Sequence, residues 1–495
     1  MLDPAPDVPE IQKTELESSA SVPRESQRLD HMDQLGDSYY AILLLTGPLV
    51  LSSTGLMLMH IFDAVLLSRY SKQAIAVVGS ASMAAFVLIS FFIGITAYTA
   101  TFVAQYMGAR RPERVGPAVW QGIYVALAAG VFTSLVGTLI APPLFHWVNH
   151  GPALELLEQR YFRIMCYGAT FSLLGAALSG FFSGRGDNRT LMIVQLSGFV
   201  INAGLSYCAI FGRLGLPELG ALGAATATAC AQGCVTLMLA LIFLSPRHRA
   251  NYQTWTSRAF DWALLKRMTY FGAFNGMRAV TELLAWTLFL CFVGRLGEDV
   301  MAITNIVWRL NGIAFFPLIG LSTAIATLVG HAQGRQDSRR AEIITWRGVI
   351  MAEGWMLFAA SLFVLFPRPL LNLIMGGEGA SELAPMIETG TSLLRFVALY
   401  CLLDGLNIVF MGALQGAGDT RWTLIASFIL HVIFLTALFV IDAYYQNLFI
   451  FWTAATSFVM LQAGVWVLRF KSGKWKSMRV IEGDGDGETA LPFAN

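Results

Sequence analysis

Gly180-Phe-Phe-Ser-Gly184-Arg-Gly186-Asp187-Asn-Arg189 returns as Gly412-Ala-Leu-Gln-Gly416-Ala-Gly418-Asp419-Thr-Arg421, every paired position 232 residues apart. Upstream, Gly94-Ile-Thr-Ala-Tyr-Thr-Ala-Thr101-Phe-Val103 returns as Gly320-Leu-Ser-Thr-Ala-Ile-Ala-Thr327-Leu-Val329 at an offset of 226. The two offsets differ by a short insertion or deletion between the matched blocks. A unit of about 200 residues is far longer than a solenoid repeat, so the chain reads as two homologous halves.

Composition says where the halves live. Hydrophobic residues make up 56% of the chain, charged residues 13%, and the mean hydropathy is +0.60, against the roughly 25% charge of a soluble domain. Apolar runs long enough for a hydrocarbon core of about 30 Å fall at 40–67, 75–106, 117–142, 162–183, 191–212, 221–245, 267–294, 300–332, 346–366, 391–415, 422–443 and 447–470. The expected fold is therefore all-α and polytopic, with twelve transmembrane helices in two six-helix lobes. Six spans per half give both halves the same orientation, so the lobes are related by a pseudo-two-fold axis along the membrane normal.

The domains expected are a disordered N-terminal tail (1–37), an N-lobe (38–245), a linker (246–266), a C-lobe (267–470) and a C-terminal tail (471–495). Of 33 basic residues, 23 fall in the tails, in the five loops on their side or at the span ends that border them (Arg267, Arg347 and Arg469), which places both termini in the cytoplasm. Lys471, Lys474, Lys476 and Arg479 suit contact with anionic headgroups. A net charge of +1 suggests no nucleic-acid partner. The six cysteines all fall within spans and show no ligand spacing, so they read as small core residues.

The glycines of Gly184-x-Gly186-Asp187 and Gly416-x-Gly418-Asp419 suit helix ends and tight reversals, with each Asp able to cap the following helix. No strand precedes them, and the third glycine and lysine of nucleotide loops are missing. The motif reads as architecture.

Ionisable groups inside spans are costly and hence functional candidates. Asp63 lies in span one, Glu282 in span seven and Asp404 in span ten, and none of them is repeated in the other half. Tyr400, Asp404 and Asn407 share a helix face. With Glu282 they supply oxygen ligands for a small cation or a carboxylate pair for a proton. The competing reading is structural ion pairing of Glu282 and Asp404 with Arg278 and Arg395. His60 and His331 read as hydrogen-bonded helix residues, Glu353 and Asp442 as structural acids near span ends, and Pro48 and Pro317 as bends or gates.

Phe62-Asp63, then Pro217-Glu218-Leu-Gly220 with Gly223-Ala-Ala, then Glu282 ahead of Arg295-Leu-Gly297, then Leu403-Asp404 leading into Gly412-Ala-Leu-Gln-Gly416-Ala-Gly418-Asp419 form a series that resembles the multidrug and toxic compound extrusion (MATE) family, NorM-like branch, over residues 40–470. The resemblance implies a monomeric, non-enzymatic antiporter, multi-pass in the bacterial cytoplasmic (inner) membrane with both termini cytoplasmic. It would exchange Na⁺ or H⁺ for amphipathic organic cations and drugs, with no cofactor beyond that ion. It places the C-lobe cation site on Glu282, Asp404 and Tyr400, which would also be the ligands if the ion is Na⁺. It places N-lobe polar or proton positions on Asp63 and Asn202. Two departures stand out: Ser206 replaces an acid found in some relatives, and Arg278 stands one turn before Glu282. The alternative within the superfamily is a lipid-linked saccharide flippase using Arg278, Arg309 and Arg395.

Overall fold

The computed structural model describes residues 38–148, 150–215, 217–375 and 384–482. The expected N-terminal tail and the last residues of the C-terminal tail lie outside the described residues. The N-lobe comprises α1 (Tyr39–Tyr70), α2 (Lys72–Ala97), α3 (Thr99–Gly108), α4 (Val115–Val148), α5 (Pro152–Gly184), α6 (Asn188–Phe211) and α7 (Ala221–Phe243). A short α8 (Pro246–Tyr252) lies in the linker. The C-lobe comprises α9 (Trp262–Gly294), α10 (Glu298–Gly334), α11 (Ser338–Leu365), the short α12 (Pro367–Met375), α13 (Ala384–Ala417), α14 (Thr420–Tyr444) and α15 (Leu448–Lys471). Among the described residues, with α2 and α3 counted as one span, twelve helices are long and apolar enough to cross a membrane. The chain is thus a multi-pass, all-helical membrane protein with six spans per lobe.

Several helices overrun their apolar windows. α11 begins at Ser338 rather than near 346, because Asp337 accepts a hydrogen bond from the Arg340 N–H and caps it. Hydropathy marks hydrocarbon thickness, whereas a helix persists until its end groups find other partners. One span is broken at Tyr98. There the Tyr98 N–H bonds to Ile95 O at 3.2 Å and the Thr101 N–H to Tyr98 O at 3.0 Å, a three-residue tightening.

The repeated loops close their helices in the same way. Gly186 and Gly418 hold φ of 73° and 99°, and the N–H of the following Asp reaches back to Phe182 O (2.8 Å) or Leu414 O (2.9 Å), as in a Schellman ending. The expected capping by these acids does not occur, since neither side chain caps the next helix. Each is taken by an arginine instead. Arg469 binds Asp419 through two bonds of 2.6 and 3.1 Å, and Arg185 lies 3.4 Å from Asp187, which also accepts from Thr190. A buried guanidinium is a stronger donor for a carboxylate than a backbone N–H.

The repeated sequence also forms the lobe interface. Gln105 and His331 occupy matched positions 226 residues apart, and Gly184 and Gly416 occupy matched positions 232 apart. Gln105 Nε2 donates to Gly416 O at 2.9 Å, and His331 Nε2 bonds to Gly184 O at 2.7 Å. Each lobe therefore grips the other's loop by the same device. The backbones touch at matched glycines, Gly108 against His331 O and Gly334 against Gln105 O, while Gly94 meets Gly276. Tyr98 Oη donates to Gln415 O (3.0 Å) and Asn275 Nδ2 to Gly94 O (2.9 Å). All these contacts lie toward the end of the bundle that carries Ser38 and Glu482, here termed the termini end. Among the described residues, no hydrogen bond or ion pair joins the lobes beyond mid-depth.

The linker is packed against the N-lobe. Trp120, Gln121 and Tyr124 on α4 donate to the carbonyls of Thr254 (2.7 Å), Ala259 (3.2 Å) and Arg258 (2.6 Å).

Candidate functional site

The unrepeated acids of the C-lobe, Asp404 and Glu282, lie on α13 and α9. α13 presents Tyr400, Asp404 and Asn407 on one face, with Tyr400 and Asp404 each only 5% exposed. Asp404 Oδ1 accepts from Asn407 Nδ2 at 3.1 Å, and that amide also donates to Gln462 Oε1 on α15 at 3.3 Å. Asp404 is therefore held by neutral partners. Arg395 forms no ion pair among the described residues.

Glu282 on α9 differs. Arg278 Nη1 donates to its Oε2 at 2.6 Å one turn away. The ion pair anticipated for Glu282 is present; the one anticipated for Asp404 is not. One turn beyond Glu282, Trp286 packs edge-on against Trp308 (4.9 Å), Phe434 (5.9 Å) and Phe458 (6.0 Å).

Two more polar residues lie inside the C-lobe. His431 on α14 is 3% exposed; its Nδ1 donates to Ser427 O at 2.6 Å, its ring lies 5.1 Å from Phe458, and its Nε2 has no partner. Sequence reasoning passed over His431, although a histidine in mid-span falls under the same rule that singled out the acids. Glu353, expected near a span end, sits well inside α11 against Gly405, where an added Cβ would lie 2.6 Å from its Oε1. Glycine is what lets a third carboxylate approach the helix of Asp404. Among the described residues, no three His, Cys, Asp or Glu side chains converge as a metal-binding group.

In the N-lobe, Asp63 is half-buried with its Oδ1 unpartnered, and Ser206 on α6 stands beside it. Asn202, fully buried one turn before Ser206, donates to Thr228 Oγ1 at 3.3 Å. His60 is exposed. Asp442 pairs with Arg295 at 2.7 Å. Around Pro317, side chains from both lobes donate to carbonyls of α10: Ser53 to Phe316 O (3.3 Å) and Trp355 to Ala314 O (2.8 Å).

The MatE family model matches the chain twice, at residues 48–208 and 278–438. The chain belongs to the MatE family. Its two matches lie 230 residues apart, between the offsets of the repeated blocks. The MatE chain is 28% identical over 393 residues to the multidrug resistance protein NorM of Burkholderia vietnamiensis, covering 77% of this chain and 82% of that one. It is 27% identical over 396 residues to a protein of Bradyrhizobium diazoefficiens named "Probable multidrug resistance protein NorM", covering 79% and 84%. Among solved structures, the outward-facing conformation of a multidrug resistance MATE family transporter of the MOP superfamily superposes with a TM-score of 0.79 at 20% identity, covering 88% of this chain and 96% of that one. A MOP superfamily transporter from Pyrococcus furiosus, described as having a binding pocket of reverse polarity that suggests a different function, gives 0.78 at 20% identity over the same shares. At such identity the superpositions speak for the fold, which this MatE chain shares.

Proposed function

We propose that the chain is a cation-coupled exporter of amphipathic organic cations and drugs, working by alternating access with its termini in the cytoplasm. The observation that carries this reading is the buried Asp404, left without a cationic partner inside one lobe of a two-lobed membrane protein whose cross-lobe hydrogen bonds, among the described residues, run from the termini end only as far as mid-depth. The excess of basic residues on the termini side supports calling that end cytoplasmic, and a bundle closed there corresponds to an outward-open state. The drug-resistance names of the relatives support the substrate class.

Arg278 offsets Glu282, which leaves Asp404, with Glu353 approaching its helix, as the carboxylate to which a coupling cation would come. A proton or Na⁺ arriving at Asp404, with Tyr400 alongside, would neutralise it. That cation shifts the conformational balance only to the extent that it binds one state better than the other. N-lobe Asp63 and Asn202 are proposed as a secondary polar site.

The flippase reading needs arginines available for pyrophosphate, and the hydrogen bond between Arg278 and Glu282 weighs against it. The test is gradient-driven ethidium efflux from proteoliposomes under imposed Na⁺ or pH gradients. Glu282→Gln and Asp404→Asn are expected to abolish coupling. Wild-type efflux in both variants would sink the proposal.

A further inference from the structure

The C-terminal segment expected to lie along headgroups does something else. After α15 the chain reverses at Gly473 (φ 70°) into a short 3-10 turn at Lys474–Ser477. Trp475 is fully buried, stacks on Phe470 at 4.7 Å with the rings 14° apart, and donates its indole N–H to Phe470 O at 2.8 Å. Gln333, at the end of α10, donates to Trp475 O (2.8 Å) and Met478 O (3.2 Å). Two of the bases read as lipid-facing are engaged on protein: Lys476 pairs with Glu342 at 2.7 Å, and Arg479 donates to Gly334 O at 2.8 Å. Residues 474–479 are thus anchored on the C-lobe.

The next three residues cross to the other lobe. Val480 is buried over Gly418, and its N–H donates to Gln105 Oε1 at 2.8 Å. The same Gln105 amide donates to Gly416 O across the interface, so one N-lobe side chain joins both the crossed grip and the tail. Ile481 is buried. Glu482 then meets a set of donors: Tyr106 Oη at 2.8 Å, Arg114 Nε at 3.1 Å and Nη2 at 3.0 Å, and Arg267 Nη1 at 3.6 Å, while Arg111 reaches its carbonyl at 3.5 Å. Tyr106, Arg111 and Arg114 belong to the N-lobe side, and Arg267 opens the C-lobe.

We propose that residues 474–482 form a strap across the closed termini end, anchored by Trp475 on the C-lobe and clasped by Glu482 on the N-lobe, which must unclasp whenever that end opens. The geometry favours this over passive tail packing for two reasons. The segment changes lobes in mid-course, so it resists separation in a way that docking on one lobe cannot. Its last contact is a carboxylate held by arginines from both sides, a charge-assisted and directional bond that breaks as a unit. The cyclic opening in this statement rests on the alternating-access reading; the clasp itself does not.

Hydrogen exchange by mass spectrometry on the purified full chain tests the strap. Glu482→Ala, and separately a stop after Ile481 that keeps the Trp475 anchor, are each expected to raise exchange about ten-fold at the C-terminal turns of α3 and α10, where local opening sets the rate. Exchange at the far ends of α9 and α14 should stay unchanged. Asp442→Asn, at the far end, serves as the control for general loosening and should not move α3 or α10. Wild-type exchange at α3 and α10 in both tail variants overturns the strap, whatever the efflux assay shows. Absence of efflux from the wild-type protein would overturn the transport reading while leaving the exchange result to decide the strap.

Discussion

At the scale of single residues, the C-lobe cluster assigns unequal work to two acids that sequence treats alike. Glu282 is already answered by Arg278 at 2.6 Å, whereas Asp404 is held by the neutral amide of Asn407. Replacing Arg278 by Ala frees a second negative charge, so cation affinity, read as the cation concentration giving half-maximal efflux, is expected to strengthen about ten-fold, the scale of one neighbouring unit charge. His431→Asn should shift the pH dependence of efflux, since Nε2 of the wild-type ring is left as an unused acceptor in the C-lobe interior; an unaltered profile would remove His431 from the coupling machinery. The tail clasp behaves differently with pH. Burial alone would raise the pKa of Glu482, but hydrogen bonds from its own backbone N–H and from Tyr106, with the charge of Arg114, outweigh burial and hold it below the usual 4.5. The groups around it are Arg111, Arg114, Arg267, Arg479, Tyr106 and Asp261. A lowered folded value means that the stabilisation is fully present above the unfolded pKa and is lost as pH falls through the folded one. Protection of α3 should therefore be flat from about pH 5.5 to 8 and differ from that of Glu482→Gln throughout that window.

At the scale of elements, the span count, the Gly-Asp loops and the halves were legible because hydropathy and repetition are local signals. Capping was misread at Asp187 and Asp419 because the competing donors, Arg185 and above all Arg469 fifty residues downstream, are set by packing. The tail was misread for a similar reason: four bases in nine residues look solvated, and nothing in the sequence pairs Lys476 with Glu342 or Val480 with Gln105. Tyr98 breaks its span without a proline or an adjacent glycine, so the sequence carried no warning. Glu282 and Asp404 stand out in the sequence because charge in hydrocarbon is conspicuous, and Glu353 was misplaced because span ends were drawn from hydropathy alone. The Asp419–Arg469 pair is 2% and 8% exposed at its side chains. Arg469→Met leaves a buried carboxylate uncompensated and should cost about 3–5 kcal/mol of stability, seen as a lower midpoint of thermal unfolding in detergent. Asp187→Asn, in a partly exposed and less regular pair, should cost clearly less.

At the scale of the whole molecule, the closed end is held by backbone against backbone, with the cross-bonds of Gln105 and His331 placed symmetrically about the lobe axis. A single methyl at Gly334 collides with Gln105 O, and no rotamer change relieves a clash with main chain. Gly334→Ala is expected to hold the lobes apart at the termini end, raising exchange at α3 and α10 and abolishing efflux while the helical content by circular dichroism is unchanged.

The linker leads to a different kind of consequence. Its carbonyls at Thr254, Arg258 and Ala259 are gripped by α4, whereas Asp261 caps α9 by accepting from the Leu264 N–H at 3.0 Å. Ownership of the connection therefore changes hands between Phe260 and Asp261. A gene cut there would give two polypeptides, each carrying the end groups that its own helices need, and the two should find each other in the membrane as a split transporter.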